Sequence, residues 1–118
     1  MNSIVVLDAL TCGGKEIFER FSSLGNLKIY ETTTPEQRKS HIAESSIVIT
    51  NKVLIDKEII DSCPSLKLVC LTATGMNNVD IPYAESKGIQ IKNVAGYSTE
   101  SVAQHTLAML LSLLHHTN

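Results

Sequence analysis

The chain has 118 residues, 43% hydrophobic and 19% charged, with a formal net charge of -2, the profile of an ordinary globular protein with room for one hydrophobic core. Its 10 lysines and arginines are scattered along the sequence, which excludes a basic stripe of the kind that tracks a nucleic-acid backbone. The longest apolar run, residues 107–114, is interrupted by Ser112 and falls far short of the ~20 residues that cross a bilayer.

The amino terminus, Met1-Asn2-Ser3, has neither a basic segment nor a small-residue cleavage site, so a cytoplasmic location is expected. Cys12, Cys63 and Cys70 lack the paired spacing of a zinc site and the density of a disulfide scaffold. They read as buried free thiols.

Residues 4–7 form a continuous apolar strand ending at Asp8, after which Cys12-Gly13-Gly14 turns the chain into a helix with Ile17, Phe18, Phe21 and Leu24 inward. Gly25-Asn26 stops that helix, and residues 27–30 make a second strand. Thr34 as N-cap and Pro35 in the first turn open the next helix, whose apolar face is thin. A third buried strand covers 47–49, and a short helix follows over 56–62, ended by Pro64. The fourth strand spans 66–71. Beyond a turn-rich stretch, Asp80-Ile81-Pro82 starts a helix that Lys87-Gly88 ends, and 89–91 make a fifth strand. Apolar runs alternating with amphipathic segments are the pattern of βα units around a parallel sheet.

The final helix is expected from Ser98 to about His116, with Ser101 and Gln104 as a capping box. Val102, Ala103, Leu107, Leu110, Leu111 and Leu114 contribute to an apolar surface on most of its circumference, where a helix lying on one domain needs only a stripe about 100° wide. Such a helix expects a second partner, either another copy of the chain or a further domain.

Ligands of open parallel sheets bind beyond the carboxyl ends of the strands, so chemistry is sought in the loops there. The fourth strand runs into Thr72-Ala73-Thr74-Gly75-Met76-Asn77-Asn78-Val79-Asp80. There Gly75 permits a close backbone approach, and consecutive amides can hold a carboxylate. The same stretch also reads as a plain loop in which Asn78 and Asp80 cap the next helix. The fifth strand runs into Gly96-Tyr97-Ser98 and a helix amino terminus that favours anions. There too a structural reading stands, with Ser98 and Ser101 capping and Tyr97 packing.

Taken together, these segments resemble the D-isomer-specific 2-hydroxyacid dehydrogenases. The resemblance rests on residues 74–80, on Lys87-Gly88-Ile89, on Asn93-Val94 and on residues 96–105, in matching order across the second half of the chain. Gly96-Tyr97-Ser98-Thr99 with Leu113-Leu114-His115-His116 is most similar to the glycerate dehydrogenase or hydroxypyruvate reductase branch. The resemblance implies that Thr74 and Gly75 hold the substrate carboxylate, that Tyr97 and Ser98 line the pocket, and that Val102 approaches the nicotinamide of NAD. It implies a flavodoxin-like α/β substrate-binding domain over 1–97, with a mostly parallel five-stranded sheet. A protruding helix over 98–118 would lead into a nucleotide-binding domain and a homodimer contact.

The family's glycine-rich fingerprint, acidic ribose-binding residue, carboxylate-binding arginine and glutamate–histidine pair have no counterpart in these 118 residues. The expectation is therefore the substrate-binding part of an NAD-dependent oxidoreductase for a small 2-hydroxy or 2-oxo acid, inactive alone. The choice of NAD over NADP would be made in the absent domain. Gly13-Gly14-Lys15 lacks the remaining residues of a P-loop and reads as turn punctuation. His41, His105, His115 and His116 show no carboxylate-supported arrangement that would make one a proton donor, and no metal site is expected.

Two other classes remain to be weighed. A free-standing binding or dimerisation module would use the apolar helix to pair with itself. A phosphorelay receiver shares the rhythm but needs clustered acids after its first strand and an aspartate after its third. Here Asp8 stands alone, and Thr50-Asn51 follow Ile49.

Overall fold

A computed structural model describes residues 2–12, 14–72 and 77–93. Five strands form one sheet: β1 (Asn2–Val6), β2 (Gly25–Ile29), β3 (Ile47–Thr50), β4 (Leu68–Leu71) and β5 (Gln90–Asn93). Their order is β2-β1-β3-β4-β5 and every pairing is parallel. The order reverses between β1 and β3, which opens a crevice at their carboxyl ends. The flavodoxin-like expectation holds for the sheet. The protruding helix over 98–118, and the dimer contact assigned to it, lie outside the described residues.

The sheet has a core on each face because successive side chains of a strand point opposite ways. Val5, Val48 and Val69 face one side and pack with Ile42, Ile59, Ile60 and Ala84. These last four come from α1 (Arg38–Ile42), α2 (Lys57–Ser62) and α3 (Ile81–Ser86). Ile4, Val6, Ile47, Ile49 and Cys70 face the other side, against Phe18 and Phe21. In β3 and β4 every residue is buried, as central strands covered on both faces require. The outer strands β2 and β5 alternate between exposed and half-buried residues, with Lys28 and Lys92 outward, which discourages further strand addition.

Residues 15–24 depart from the expected α-helix. Lys15–Leu24 is a 3-10 helix, unusually long for that form. Its inward residues, Phe18, Phe21 and half-buried Leu24, recur every third position. Side chains three apart eclipse in a 3-10 helix, so that spacing places all three on one line against the sheet. The Phe18 and Phe21 rings meet edge to face at 5.6 Å. Gly14 enters the segment at φ 105, and no side chain caps it, so the start of the segment offers little reason for an α turn.

The other caps follow the sequence closely. Thr34 and Gln37 form a reciprocal capping box with Pro35 inside it. Asp56 caps α2 by accepting from the Ile59 amide, and Asp80 caps α3 by accepting from the Tyr83 amide. Asn78, read as a second capping residue, instead donates its side-chain amide to the Val53 carbonyl at 2.9 Å. Gly88, at φ 81, makes the turn from α3 into β5. Cys63 and Cys70 are buried free thiols as expected, and burial pushes Cys70 up to about 12.

Candidate functional site

The carboxyl edge of the sheet is organised around Asp8, the first residue past Leu7 at the end of the β1 run. Its side chain is buried and accepts four donors. The Thr50 hydroxyl lies at 2.8 Å, the Asn51 amide at 3.0 Å, the Lys52 amide at 2.8 Å and the Thr11 hydroxyl at 3.1 Å. A carboxylate placed there satisfies backbone donors that the end of β3 would otherwise leave unmade. The Thr50 oxygen in turn accepts from the Val53 amide at 3.2 Å. The Asn51–Val53 turn is therefore held from beneath, with the exposed Lys52 on its rim.

The loops after β3 and β4 are joined. Ile55 pairs with Val79 in an isolated parallel bridge, the Ile55 amide donates to the Asn78 carbonyl at 2.7 Å, and the Asp80 amide donates to the Ile55 carbonyl at 3.0 Å. At the other end of the β4 loop the Thr72 amide donates to the Thr50 carbonyl at 3.0 Å. The described residues on either side of 73–76 are thus held to the end of β3 and to the loop after it. Thr74 and Gly75 lie within that segment, outside the described residues, as do Tyr97, Ser98 and Val102. Of the residues expected to form the site, the structure brings together only their flanks.

On the other side of β3, the loops after β1, β2 and β3 enclose a cleft of about 400 Å³. Asp8, Thr11, Thr32, Arg38, Lys52 and Leu54 are among the residues that line it. Arg38 is buried although charged. Its Nε donates to the Pro35 carbonyl at 3.0 Å, and its Nη1 donates to the Leu54 carbonyl at 2.8 Å and to Asp56 Oδ1 at 3.3 Å. A guanidinium can be buried when its donors and charge are matched in this way. Deeper in the β2 loop, Thr33 donates its hydroxyl proton to the Leu7 carbonyl at 2.6 Å. His41 Nδ1 lies 2.8 Å from the Thr33 hydroxyl oxygen, whose proton is already given to Leu7, so the imidazole is the donor to it. The His41 ring stacks on Tyr30 at 3.6 Å, and burial lowers its pKa. These contacts give His41 a packing role, and among the described residues no carboxylate orients it as a proton donor.

Sequence reasoning missed Asp8 and Arg38 as organisers of this edge. The signal for the first was the polar triplet Thr50-Asn51-Lys52 directly after an all-apolar strand. Such a turn needs an acceptor, and Asp8 ends the neighbouring strand. For Arg38 the thin apolar face of its helix was the available clue.

Among the described residues no group of three or more His, Cys, Asp or Glu side chains is placed to hold a metal. A dinucleotide does not fit them either. The glycine turn after β1 commits the Gly14 amide to the Ala9 carbonyl at 2.8 Å, leaving it unavailable as the phosphate donor such a turn would supply. No described helix is long and apolar enough to cross a membrane.

Comparison with known proteins matches residues 4–113 to the model of the D-isomer specific 2-hydroxyacid dehydrogenase catalytic domain. The hydroxypyruvate reductase of Blautia hydrogenotrophica is 36% identical over 96% of this chain and 36% of its own length. The glycerate dehydrogenase of Methylorubrum extorquens is 32% identical over 73% of this chain and 28% of its own. Among solved structures, D-lactate dehydrogenase from Aquifex aeolicus, complexed with NAD and lactic acid, superposes with a TM-score of 0.67 at 26% identity. That likeness covers 95% of this chain and 33% of the other. The chain thus spans only about a third, or less, of the curated relatives it matches. A parallel sheet in this order, the joined loops at its carboxyl edge and a family match across nearly the whole length agree: the chain belongs to the D-isomer specific 2-hydroxyacid dehydrogenases.

Proposed function

We propose that this chain is the substrate-binding part of an NAD-dependent 2-hydroxyacid dehydrogenase of the glycerate or hydroxypyruvate type. The observation that carries the reading is that the described residues flanking 73–76 are held to the end of β3 and to the loop after it. A loop fixed at both ends can keep amides aimed at one point, and orientation of a bound acid contributes to rate only if the holding groups do not move. On this reading the backbone of Thr74 and Gly75 holds the carboxylate of a 2-hydroxy or 2-oxo acid. Tyr97 and Ser98 line the pocket beside it, and Val102 approaches the nicotinamide ring. The branch is supported by relatives named hydroxypyruvate reductase and glycerate dehydrogenase.

Hydride exchange and proton transfer belong, on this reading, to residues outside these 118, because the chain contains neither the dinucleotide fingerprint nor a carboxylate-oriented histidine among its described residues. By itself it binds and orients without turning over. The test has two arms. Titration of the isotopically labelled chain with glycerate should shift the amide signals of Thr72, Asn77 and Asn78 and those of residues 74–75 and 97–98; absence of saturable shifts there removes the cradle. Incubation with NADH and hydroxypyruvate or glyoxylate should leave NADH absorbance unchanged; turnover by this chain would overturn the division of labour.

A further inference from the structure

The described residues that line the cleft on the β2 side of β3 include none of the described flanks of the proposed substrate cradle, and its donors are not exhausted. Arg38 Nη2 carries two N–H groups, and no acceptor for them exists among the described residues, although Arg38 is only 9% exposed. Buried donors of a charged group left unmade are costly, so a ligand that satisfies them has a ready free-energy gain. Lys52, also lining the cleft, has its backbone amide held by Asp8 and forms no ion pair among the described residues. The Thr32 hydroxyl has no partner there either and lines the same space. Pro35, Val53 and Leu54 supply apolar wall, and Leu54 is 49% exposed. The volume of about 400 Å³ is that of a small-molecule site.

We infer that this cleft is a second binding site, for a small monocarboxylate with a short apolar body. A guanidinium edge suits a carboxylate, with Lys52 and Thr32 available to its second oxygen. The nearby charges choose a single negative charge over a phosphate dianion: Asp8 lines the cleft with Arg38 and Lys52, and Asp56, outside the lining, already pairs with Arg38, so little net positive charge is left before anything binds. The Asp8 oxygens do not repel the ligand strongly, because each is already occupied by inward donors. The apolar wall calls for methylenes behind the carboxylate. The assignment stands apart from the dehydrogenase reading and would hold if the cradle at Thr74 and Gly75 were disproved.

The test is titration of the isotopically labelled chain with sodium butyrate against sodium chloride at matched ionic strength, with acetate and inorganic phosphate as parallel probes. Butyrate should give saturable amide shifts at Thr32, Thr33, Lys52 and Val53, with half-saturation on the order of millimolar, as few contacts allow. It should bind up to about 15-fold more tightly than acetate if both extra methylenes are buried. Lys52→Met and Thr32→Val change side chains without described partners and should each weaken butyrate at least about threefold. Arg38→Lys should abolish binding; because that change also disturbs packing, the two surface variants decide the matter. No saturable shift up to about 50 mM would overturn the site. So would shifts confined to Thr72, Asn77 and Asn78, tighter binding of phosphate than of butyrate, or indifference to both surface variants.

Discussion

Replacing Asp8 by alanine removes the acceptor on which the carboxyl edge of β3 depends. Three donors lose their partner, the hydroxyl of Thr50 and the amides of Asn51 and Lys52, while the Thr11 hydroxyl keeps the Asp8 backbone carbonyl at 2.9 Å. They do not lose equally. Thr50 is fully buried and cannot reach water, so its unmet hydroxyl and displaced bond to the Val53 amide cost about 1–3 kcal/mol. Asn51 is half-buried and Lys52 is exposed, so their amides recover water and each costs about 0.5–1 kcal/mol. A total of about 2–5 kcal/mol is expected, a large part of the 5–15 kcal/mol typical of whole domains. Urea unfolding measures it directly: with a slope of about 1–2 kcal/mol per M, the midpoint should fall by roughly 1–5 M with the slope unchanged. Asp8→Asn keeps one acceptor but turns an NH2 toward donors, so it should recover only part of the loss. A fall below about 0.5 kcal/mol for Asp8→Ala would refute the reasoning, since that is the size of an ordinary surface substitution.

Two further outcomes concern titrating groups. Burial raises Cys70 to about 12 from 9.0, so the folded chain keeps this thiol protonated where the unfolded chain releases it. The unfolded state then binds fewer protons above pH 9, and stability falls as pH rises from about 9 toward 12. Comparing the urea midpoints of the chain and of Cys70→Ala at pH 7 and at pH 10 should show a steeper decline with Cys70 present; parallel declines would exclude it. The Tyr83 hydroxyl donates to the Asp61 carboxylate, and that bond, followed by burial and the charges of Asp61 and Asp80, raises its pKa. Absorbance titration at the phenolate band should place Tyr83 above a normal tyrosine, and Asp61→Asn should bring it down. An unchanged titration in that variant would show that the bond does not persist in solution.

The strands were legible in the sequence because burial on both faces leaves only apolar runs, and residues 47–49 and 68–71 carry little else. The caps at Thr34 and Asp80 were legible because a side chain and the amide it meets lie three residues apart, whereas Asp56, read as the first helical residue, proved to be the cap of α2. Features that join distant segments were not. Asp8 meets donors more than forty residues away, and Arg38 finds its acceptors 16 and 18 residues on; no local pattern encodes either. The 3-10 form of Lys15–Leu24 was missed because Phe18 and Phe21 satisfy an α period and a 3-10 period equally. The residues of the proposed cradle were recognised from a family pattern, which names positions without supplying the geometry that physical reasoning needs.

The bridge between Ile55 and Val79 also bears on how such a domain can be altered. Residues 53–55 and 78–80 share a backbone pairing and the contact from Asn78 to Val53, so neither loop has a conformation of its own to transplant. Exchanging one of them for a relative's loop would sever the shared ladder and leave its amides and carbonyls without partners. The two segments form a single unit of inheritance for any redesign, and an altered preference for one acid over another should be sought in chimaeras that move both at once.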